Sequence, residues 1–343
     1  MKAVVFHKHG GTDELVYVDF PDPIADDNEV IVKVKACSIN HLDIWIREGI
    51  PAYNLGLPHV SGCDVSGEVV DIGKSVTDVN IGDNVIIAPG LSCFKCDQCI
   101  SGNDNLCDFF KIFGAGTHGG YAEYTKVNAN SVIPMSSSLT FVEAAAFPLT
   151  FLTAYHMLVS RIDLRTGQDI LIIAAASGIG TAAVRIARLL GARIIATVGS
   201  EDKVELIKMM GVDDVINYNE EDFAKRVIEL TGGKGVDAVF ENVGPETWDK
   251  SISCLSKGGK LVTCGATSGP AVNLELRTLF MKQLSIFGSI MGTRKELFEI
   301  MKFVLTGQLR VTIDSIFELK DAKKAQEKML ARKNVGKIML EIK

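Results

Sequence analysis

Hydrophobic and polar positions follow two different patterns along the chain, and the change occurs near residue 150. Before it, short runs rich in β-branched residues, such as EVIVKVKA and SGEVVDIG, are separated by Gly, Asp, Asn and Pro, which predicts short strands joined by turns. After residue 165, apolar runs alternate with helical segments that end in glycine, such as TAAVRIARLLG. The predicted strands there are DILIIA, RIIATV, DVIN, DAVF, KLVTCG and LSIFGS. Strands that alternate with helices predict a parallel, doubly wound α/β sheet.

The same change of pattern predicts two domains. A β-rich domain is expected over residues 1–150, completed by residues 290–343, where KELFEIMKFVLTG predicts a helix and VGKIMLEI a final strand. The doubly wound domain is expected over residues 151–289. A chain of 343 residues is long enough for two separate cores.

Composition and charge argue against several classes of function. Hydrophobic residues make up 47% and charged residues 23% of the chain, as in ordinary globular proteins. A net charge of −6 gives no electrostatic footprint for nucleic acid. The longest uncharged run, residues 144–160, is shorter than the roughly 18 apolar residues of a membrane span, and MKAVVFHKHGG has no apolar core for a signal peptide. We therefore expect a cytoplasmic protein with no nucleic-acid or membrane partner.

A small-residue turn, AAASGIG, joins the first strand of the alternating region to its first helix. The dinucleotide fingerprint would place glycines at Ala175, Ser177 and Gly180, so the motif is degenerate, and Gly178 gives extra backbone freedom beside Ile179. Small residues let a pyrophosphate approach the backbone, and a helix N-terminus offers free N–H groups. The turn therefore predicts a nucleotide site; a tight turn without ligand is the alternative.

The end of the next predicted strand bears on which dinucleotide is bound. An acidic residue there would bind the ribose diol of NAD, but the position is Val198. Gly199, Ser200 and Lys203 follow it and could accommodate a 2′-phosphate. This favours NADP and leaves NAD open, since Lys203 as a solvated helix residue is nearly as plausible as a phosphate ligand.

Four of the eight cysteines, Cys93, Cys96, Cys99 and Cys107, follow the pattern C-x2-C-x2-C-x7-C. In a chain without a predicted secretory signal, this clustering favours a metal over disulfides or free thiols. Four thiolates fill a tetrahedral shell and leave no position for substrate, so a zinc ion bound there would be structural.

Taken together, these features resemble the medium-chain dehydrogenase/reductase superfamily over essentially the whole chain. The phrases that carry the resemblance include SGCDVSGEVVDIG, GDNVI, GGYAEY, AAAFPLTFLTAYHML, GATSG and VGKIMLEI. The resemblance implies a GroES-like catalytic domain, a Rossmann domain, a structural zinc in the cysteine quartet, and cofactor contacts from Thr153, Asn242, Gly265 and Ala266. Related enzymes pair the strand found here in QLSIFGSIMG across a two-fold axis, which implies a homodimer or homotetramer.

The catalytic zinc site of the superfamily's alcohol dehydrogenases is not recognisable here. By the resemblance, a cysteine ligand, a proton-relay hydroxyl, a histidine–glutamate pair and a second cysteine correspond to Asn40, Leu42, Cys63, Asp64 and Leu149. Only Cys63 and Asp64 could still bind metal, and a catalytic zinc needs three protein ligands.

The stretch from Asn40 to Asp43 instead resembles the N-x-x-D of the zinc-free quinone oxidoreductase and enone reductase branch. We expect NAD(P)H-dependent reduction of a small-molecule quinone or conjugated enone, because such an acceptor is already polarised and needs no Lewis acid. Asn40 is the candidate donor to the acceptor carbonyl, and Asp43 the candidate orienting residue. Tyr53 could donate a hydrogen bond or the final proton, or could equally be an ordinary packing residue.

Two other functions stay open at this point. One is a zinc-dependent alcohol dehydrogenase with altered ligands, drawing on Cys37, His41 or His59 beside Cys63 and Asp64. The other is a non-enzymatic NADPH-binding protein. The number of zinc ions per chain distinguishes the first, and turnover of quinones or enones the second.

Overall fold

A computed structural model describes residues 1–50, 53 and 55–343. The strands are β1 Lys2–Phe6, β2 Val16–Asp19, β3 Glu29–Ser38, β4 His59–Val60, β5 Asp64–Ile72, β6 Asn84–Ile87, β7 Gly90–Leu91, β8 Lys111–Ile112, β9 Tyr124–Asn128, β10 Val132–Pro134, β11 Asp169–Ile172, β12 Arg193–Val198, β13 Asp214–Asn217, β14 Val236–Glu241, β15 Leu255–Thr263, β16 Ser285–Gly288, β17 Ile313–Glu318 and β18 Lys337–Glu341. The α-helices are α1 His41–Glu48, α2 Asp97–Ile100, α3 Phe141–Ala146, α4 Pro148–Tyr155, α5 Gly178–Leu189, α6 Glu201–Met209, α7 Phe223–Leu230, α8 Pro245–Ser253, α9 Leu276–Met281, α10 Arg294–Leu305 and α11 Ala322–Leu330. A π-helical turn, His156–Arg161, follows α4.

The β-rich unit is built on a sheet with the order β10-β6-β5-β3-β18-β17, in which β9 also pairs with β3. In the long central strand β3, buried Val32 and Val34 alternate with the less buried Lys33 and Lys35, as in a strand with one face on the core. Its C-terminal end pairs with both neighbours: Ser38 lies opposite Asp64 of β5 and opposite Met339 of β18. The last strand of the chain therefore lies beside the end of β3, with β5 on the other side of β3.

Helix α1 starts two residues after β3, and its orientation is fixed at both ends. Asn40 takes the N-cap position, and the Asp43 carboxylate accepts the backbone N–H of Asn40 at 2.7 Å. Near the C-terminus of α1 the fully buried Arg47 donates from Nε to Gln326 Oε1 of α11 at 3.0 Å. The start of α1 is thus rigidly positioned.

The second unit contains a six-stranded sheet with the order β13-β12-β11-β14-β15-β16, and every pair in it is parallel. The predicted doubly wound sheet is confirmed. Its central strands are continuous apolar runs because helices cover both faces; Leu171, Ile195, Val239 and Leu261 are fully buried.

The division of the structure into compact units differs from the predicted domain limits at residues 150, 290–292 and 299–310. One unit comprises Met1–Leu149, Thr293–Phe298 and Val311–Lys343, and the other comprises Thr150–Gly292 and Glu299–Arg310. The sequence pattern places all of 290–343 in the β-rich domain. Residues 299–310, which include most of α10, instead belong to the doubly wound unit. The sequence did not reveal this, because an amphipathic pattern predicts a helix but not the surface that the helix covers.

One helical stretch in the described part of the chain, Phe141–Arg161, is long and apolar enough to cross a membrane. In this protein 72% of its apolar window is buried inside the fold. Such burial is typical of a core helix in a soluble protein.

Candidate active site and cofactor site

The residues that align with a catalytic zinc site do come together in the β-rich unit. Asn40 Nδ2 donates to Asp64 Oδ2 at 2.9 Å and to Cys63 Sγ at 3.3 Å. The backbone N–H of Leu149 donates to Asp64 Oδ1 at 2.7 Å. The correspondence drawn from the resemblance therefore identifies one real cluster, although its donor atoms are not those of a metal site.

Lys337, which sequence reasoning did not single out, occupies the centre of this cluster. Its Nζ donates to Asn40 Oδ1 at 2.6 Å and forms an ion pair with Asp64 Oδ2 at 3.2 Å. The side chains of Lys337 and Asp64 are 2% and 0% exposed. A lysine beside the apolar run IML in the strand VGKIMLEI was the available signal, since lysines are almost never fully buried unless paired.

The hydrogen-bond partners fix the orientation of the Asn40 carboxamide. Lys337 can only donate and the Asp64 carboxylate can only accept, so the oxygen of the amide must face Lys337 and its nitrogen must face Asp64. Ser38 Oγ adds a further hydrogen bond to Asp64 Oδ2 at 2.7 Å. Asn40 is 5% exposed, and donation to an acceptor carbonyl would require it to exchange one of these bonds.

Asp43 holds the backbone at Asn40 in place through hydrogen bonds to its carboxylate. Besides the Asn40 N–H, its carboxylate accepts the hydroxyl of the fully buried Tyr121 at 3.0 Å and the backbone N–H of Gly62 at 3.1 Å. Burial raises the pKa of Asp43 to about 6, opposed mainly by the hydrogen bonds from Asn40 and Tyr121. The contacts fit the orienting role predicted for Asp43, and Tyr121 is a second residue missed from the sequence.

A catalytic divalent metal does not fit this donor set. Burial raises the pKa of the Cys63 thiol well above its usual range, and the neighbouring Asp43 and Asp64 act in the same direction, which disfavours the thiolate that a metal would need. The Lys337 ammonium already pairs with Asp64 and would repel a metal cation. The cluster is therefore an internally neutralised polar network.

The other residues considered for an unorthodox metal site are engaged in contacts of their own or are disfavoured as ligands. Burial raises the pKa of Cys37 well above its usual range. His59 Nε2 lies 3.0 Å from the Gly114 carbonyl oxygen, and His41 packs edge-on against Trp45. Within the described residues, the cysteine quartet is the one group of three or more His, Cys, Asp or Glu side chains arranged to hold a metal ion.

Tyr53 is half-buried, and its backbone N–H donates to the Ile50 carbonyl at 3.1 Å. Burial raises the pKa of its phenol, and the nearby Cys63 contributes in the same direction. A neutral phenol near Cys63 is compatible with the predicted role as a proton donor, which remains a prediction.

The predicted nucleotide turn leads from β11 into α5. Ser177 caps α5: its Oγ accepts the Gly180 N–H at 3.0 Å. Gly178 and Ile179 form the first turn of α5. A Cβ at Gly180 would lie 2.3 Å from the Ala174 carbonyl oxygen, so only glycine allows this close approach of helix to strand. That is the packing role of the third glycine in dinucleotide folds.

At the end of β12, Val198 is 1% exposed and its side chain belongs to the core. Gly199 follows, and a Cβ there would lie 2.4 Å from the hydroxyl of Tyr218, another residue missed from the sequence. Ser200 takes the N-cap position of α6, and Lys203 is half-buried in its first turn. The three predicted phosphate contacts are thus adjacent at one strand end.

The remaining predicted cofactor residues lie in the same unit. Asn242, after β14, is 8% exposed and donates from Nδ2 to the Ile173 carbonyl at 3.2 Å, while Gly265 packs against the Asn242 backbone. Ala266 is exposed. Thr153, in α4, is 6% exposed and its hydroxyl lies 3.9 Å from Met291 Sδ. Asn242, Gly265 and Ala266 follow adjacent strands, whose carboxyl ends meet at one edge of the sheet.

The cysteine quartet forms a compact cluster in which all four sulfur atoms lie within 4.8 Å of one another. Cys96 Sγ lies 3.5 Å and Cys93 Sγ 3.9 Å from Cys99 Sγ, far beyond a disulfide bond. Zn–S bonds of about 2.3 Å in a tetrahedron place sulfurs roughly 3.8 Å apart, so the spacing fits zinc. Hydrogen bonds from the backbone of Lys95 and Cys96 lower the pKa of Cys93 to about 6, whereas burial and the neighbouring thiols raise the pKa of Cys96 to about 12, so the spacing of the sulfur atoms rather than their acidity supports a metal site.

Two family models and a full-length relative identify the chain. Residues 26–137 match the alcohol dehydrogenase GroES-like domain, and residues 178–306 match the zinc-binding dehydrogenase model. A quinone oxidoreductase of Salmonella typhimurium is 32% identical, covering 98% of both chains. The chain belongs to the medium-chain dehydrogenase/reductase superfamily. The predicted superfamily and its GroES-like and Rossmann-type domains are confirmed.

Relatives within the superfamily have different activities. A crotonyl-CoA reductase of Streptomyces avermitilis is 32% identical over 93% of this chain and 80% of its own. The crystal structure of an NAD-dependent alcohol dehydrogenase is 42% identical with a TM-score of 0.95, covering 100% of both chains. The chain is accordingly an oxidoreductase of a nicotinamide-dependent, zinc-binding family. Because the relatives act on different substrates, the substrate of this chain has to be inferred from the residues of its own site.

Proposed function

We propose that this oxidoreductase uses NADPH to reduce a quinone or a conjugated enone, without a catalytic metal and with one structural zinc in the cysteine quartet. The observation that carries the proposal is that Asn40 and Asp64, which align with the catalytic zinc site, are instead bound by the buried Lys337 ammonium. A metal-bound alkoxide has no place in such a network. An acceptor that is polarised by its own conjugation does not need one.

A bound nicotinamide supplies the hydride chemistry, and the chain orients the acceptor and provides the proton. The Lys337 ammonium contributes positive potential, and Asn40 can donate from Nδ2 to an acceptor carbonyl by exchanging its bond to Cys63 or Asp64. Tyr53 is the candidate donor of the proton that completes reduction of an enolate or hydroquinone anion. Asp43 holds the N-terminus of α1 and thereby the backbone of Asn40.

NADPH is proposed over NADH because the end of β12 has no carboxylate to repel a 2′-phosphate, while Ser200, Lys203 and the Tyr218 hydroxyl offer donors. NADH is the alternative, because one of the similar structures is that of an NAD-dependent alcohol dehydrogenase. Direct comparison of the two dissociation constants by cofactor fluorescence decides between them.

The decisive experiment combines metal analysis with a substrate panel. Protein purified without chelator should contain one zinc per chain and should reduce quinones or enones. A second candidate function, favoured by the 42% identical alcohol dehydrogenase structure, is zinc-dependent alcohol oxidation. Two zinc ions per chain, with alcohol turnover that disappears when one is removed, would establish that candidate and refute ours.

We also propose a homodimer, or a tetramer of such dimers, in the cytoplasm. Strand β16 lies at the edge of the six-stranded sheet, and α9 exposes Leu276, Phe280 and Met281 by 65–69%. A sheet edge and an apolar helix face of this kind are typically covered by a partner. Light scattering at micromolar concentration should give at least twice the 37.1 kDa chain mass; the monomer mass would contradict the proposal.

A further inference from the structure

Glu241, the last residue of β14, is a fully buried carboxylate with no cationic partner among the described residues. An isolated buried charge is costly unless hydrogen bonds replace its hydration. The hydrogen bonds that compensate this burial therefore identify what the side chain positions.

Two groups of donors satisfy the two oxygens of Glu241. Oε1 accepts the backbone N–H groups of Val243 at 2.6 Å and Gly244 at 3.1 Å. Oε2 accepts the hydroxyls of Thr247 and Ser251, both at 2.9 Å and both in α8. One oxygen thus fixes the loop that follows β14, and the other fixes the helix that the loop enters.

The loop fixed by Glu241 also organises its neighbours. Gly244 has φ +96°, a conformation that favours glycine, and so turns the chain sharply into α8. The Val243 carbonyl accepts both the N–H and the hydroxyl of Ser268, each at 2.8 Å, in the loop after β15. Asn242 binds the carbonyl of Ile173 at the end of β11. Three strand ends are therefore tied together around a single carboxylate.

These strand ends lie where the reactive half of a dinucleotide should bind. In a sheet of this order the ligand lies across the carboxyl ends of the strands at the switch point, here β11. The adenosine half lies toward β12 and β13, so the nicotinamide half lies toward β14 and β15. We propose that Glu241 is a positioning residue for the nicotinamide half of the cofactor. The inference rests on the proposed cofactor site and not on the proposed acceptor.

The test compares the whole cofactor with its adenosine half in Glu241→Gln. The amide nitrogen would face N–H or O–H donors, so the loop should lose its support. We expect the dissociation constant of the preferred dinucleotide to rise at least tenfold. The dissociation constant of its adenosine fragment, 2′,5′-ADP or 5′-AMP, should change less than twofold. Ser251→Ala is the matched control: it removes a donor from Oε2 only, so it should lower the melting temperature and leave the dinucleotide affinity unchanged.

Each outcome decides the matter. Equal weakening of dinucleotide and fragment would mean general loosening of the unit, and unchanged dinucleotide affinity would mean no positioning role; both overturn the inference. If Glu241→Gln does not fold, Glu241→Asp keeps the charge but withdraws it from the loop, and the same comparison applies. A wild type that binds neither dinucleotide would refute the proposed cofactor site itself.

Discussion

Replacement of Lys337 by methionine tests the network at its centre. Lys337→Met keeps a flexible side chain of similar length in a site that is 2% exposed, but removes the ammonium group. Asp64 would retain hydrogen bonds from Ser38 Oγ at 2.7 Å, Asn40 Nδ2 at 2.9 Å and the Leu149 N–H at 2.7 Å. Its charge would then be buried without a cation.

The expected loss of stability follows from that environment. Removing one partner of a buried ion pair costs about 3–5 kcal/mol, because the other charge remains unpaired. Three remaining hydrogen bonds to Asp64 place this case at the lower end, about 3 kcal/mol. The double variant Lys337→Met/Asp64→Asn leaves no net charge, so it should recover more than half of the loss.

Urea unfolding of the wild type, the single variant and the double variant at pH 8 measures both effects. Lys320→Met, in the exposed pair with Glu318, is the control and should leave the urea midpoint essentially unchanged. A loss below about 1 kcal/mol in Lys337→Met, or a double variant no better than the single one, would refute the buried ion pair.

Three further predictions concern the cofactor, the zinc and the pH. Lys203→Met should raise the dissociation constant of NADPH about tenfold, the effect of one charge-assisted hydrogen bond, and leave that of NADH unchanged; equal effects on both would contradict phosphate binding. Cys96→Ser should release zinc and lower the melting temperature more than the turnover of folded enzyme, which elemental analysis, calorimetry and active-site titration can check. Burial lowers the pKa of His59 to about 4 from 6.5, so the folded state binds fewer protons, and stability should fall by about 3 kcal/mol as the pH falls from 6.5 to 4. This slope should be absent in His59→Gln, and its persistence there would exclude His59 as the cause.

The fold was largely predictable because its physical signals are local. Strands β11, β12 and β14 are buried on both faces, so each appears as a continuous apolar run flanked by polar residues and glycine. Strand β17 gave no such signal, because its residues are only half-buried or exposed. The division of α10 between two units was equally inaccessible: amphipathic spacing predicts a helix but not which surface it will cover.

Residues of the site could be predicted only where the family resemblance assigns a role to a particular position in the sequence. Asn40, Asp64 and Leu149 could be grouped because the family resemblance aligns them with metal ligands. Lys337 lies 297 residues from Asn40 along the chain, and only the antiparallel pairing of β18 with β3 brings them together. No local pattern encodes such a contact, and the same holds for Tyr121, which reaches Asp43 from 78 residues away.

The proposed structural zinc and the proposed metal-free active site place different demands on the residues around them. A catalytic zinc works through an open coordination position, at which it binds and stabilises an alkoxide. The Lys337 ammonium offers three N–H donors, of which Asn40 and Asp64 engage two, and its charge is balanced by Asp64. It can contribute positive potential but cannot replace a metal–oxygen bond, so under the proposed function the acceptor must bring its own polarisation. The quartet would need no open position, because four thiolates around a zinc ion form a closed shell, and the four sulfur atoms lie within 4.8 Å of one another. A zinc ion there would place no constraint on the chemistry at Asn40, so the proposed combination of a structural zinc with an active site that has none is physically consistent.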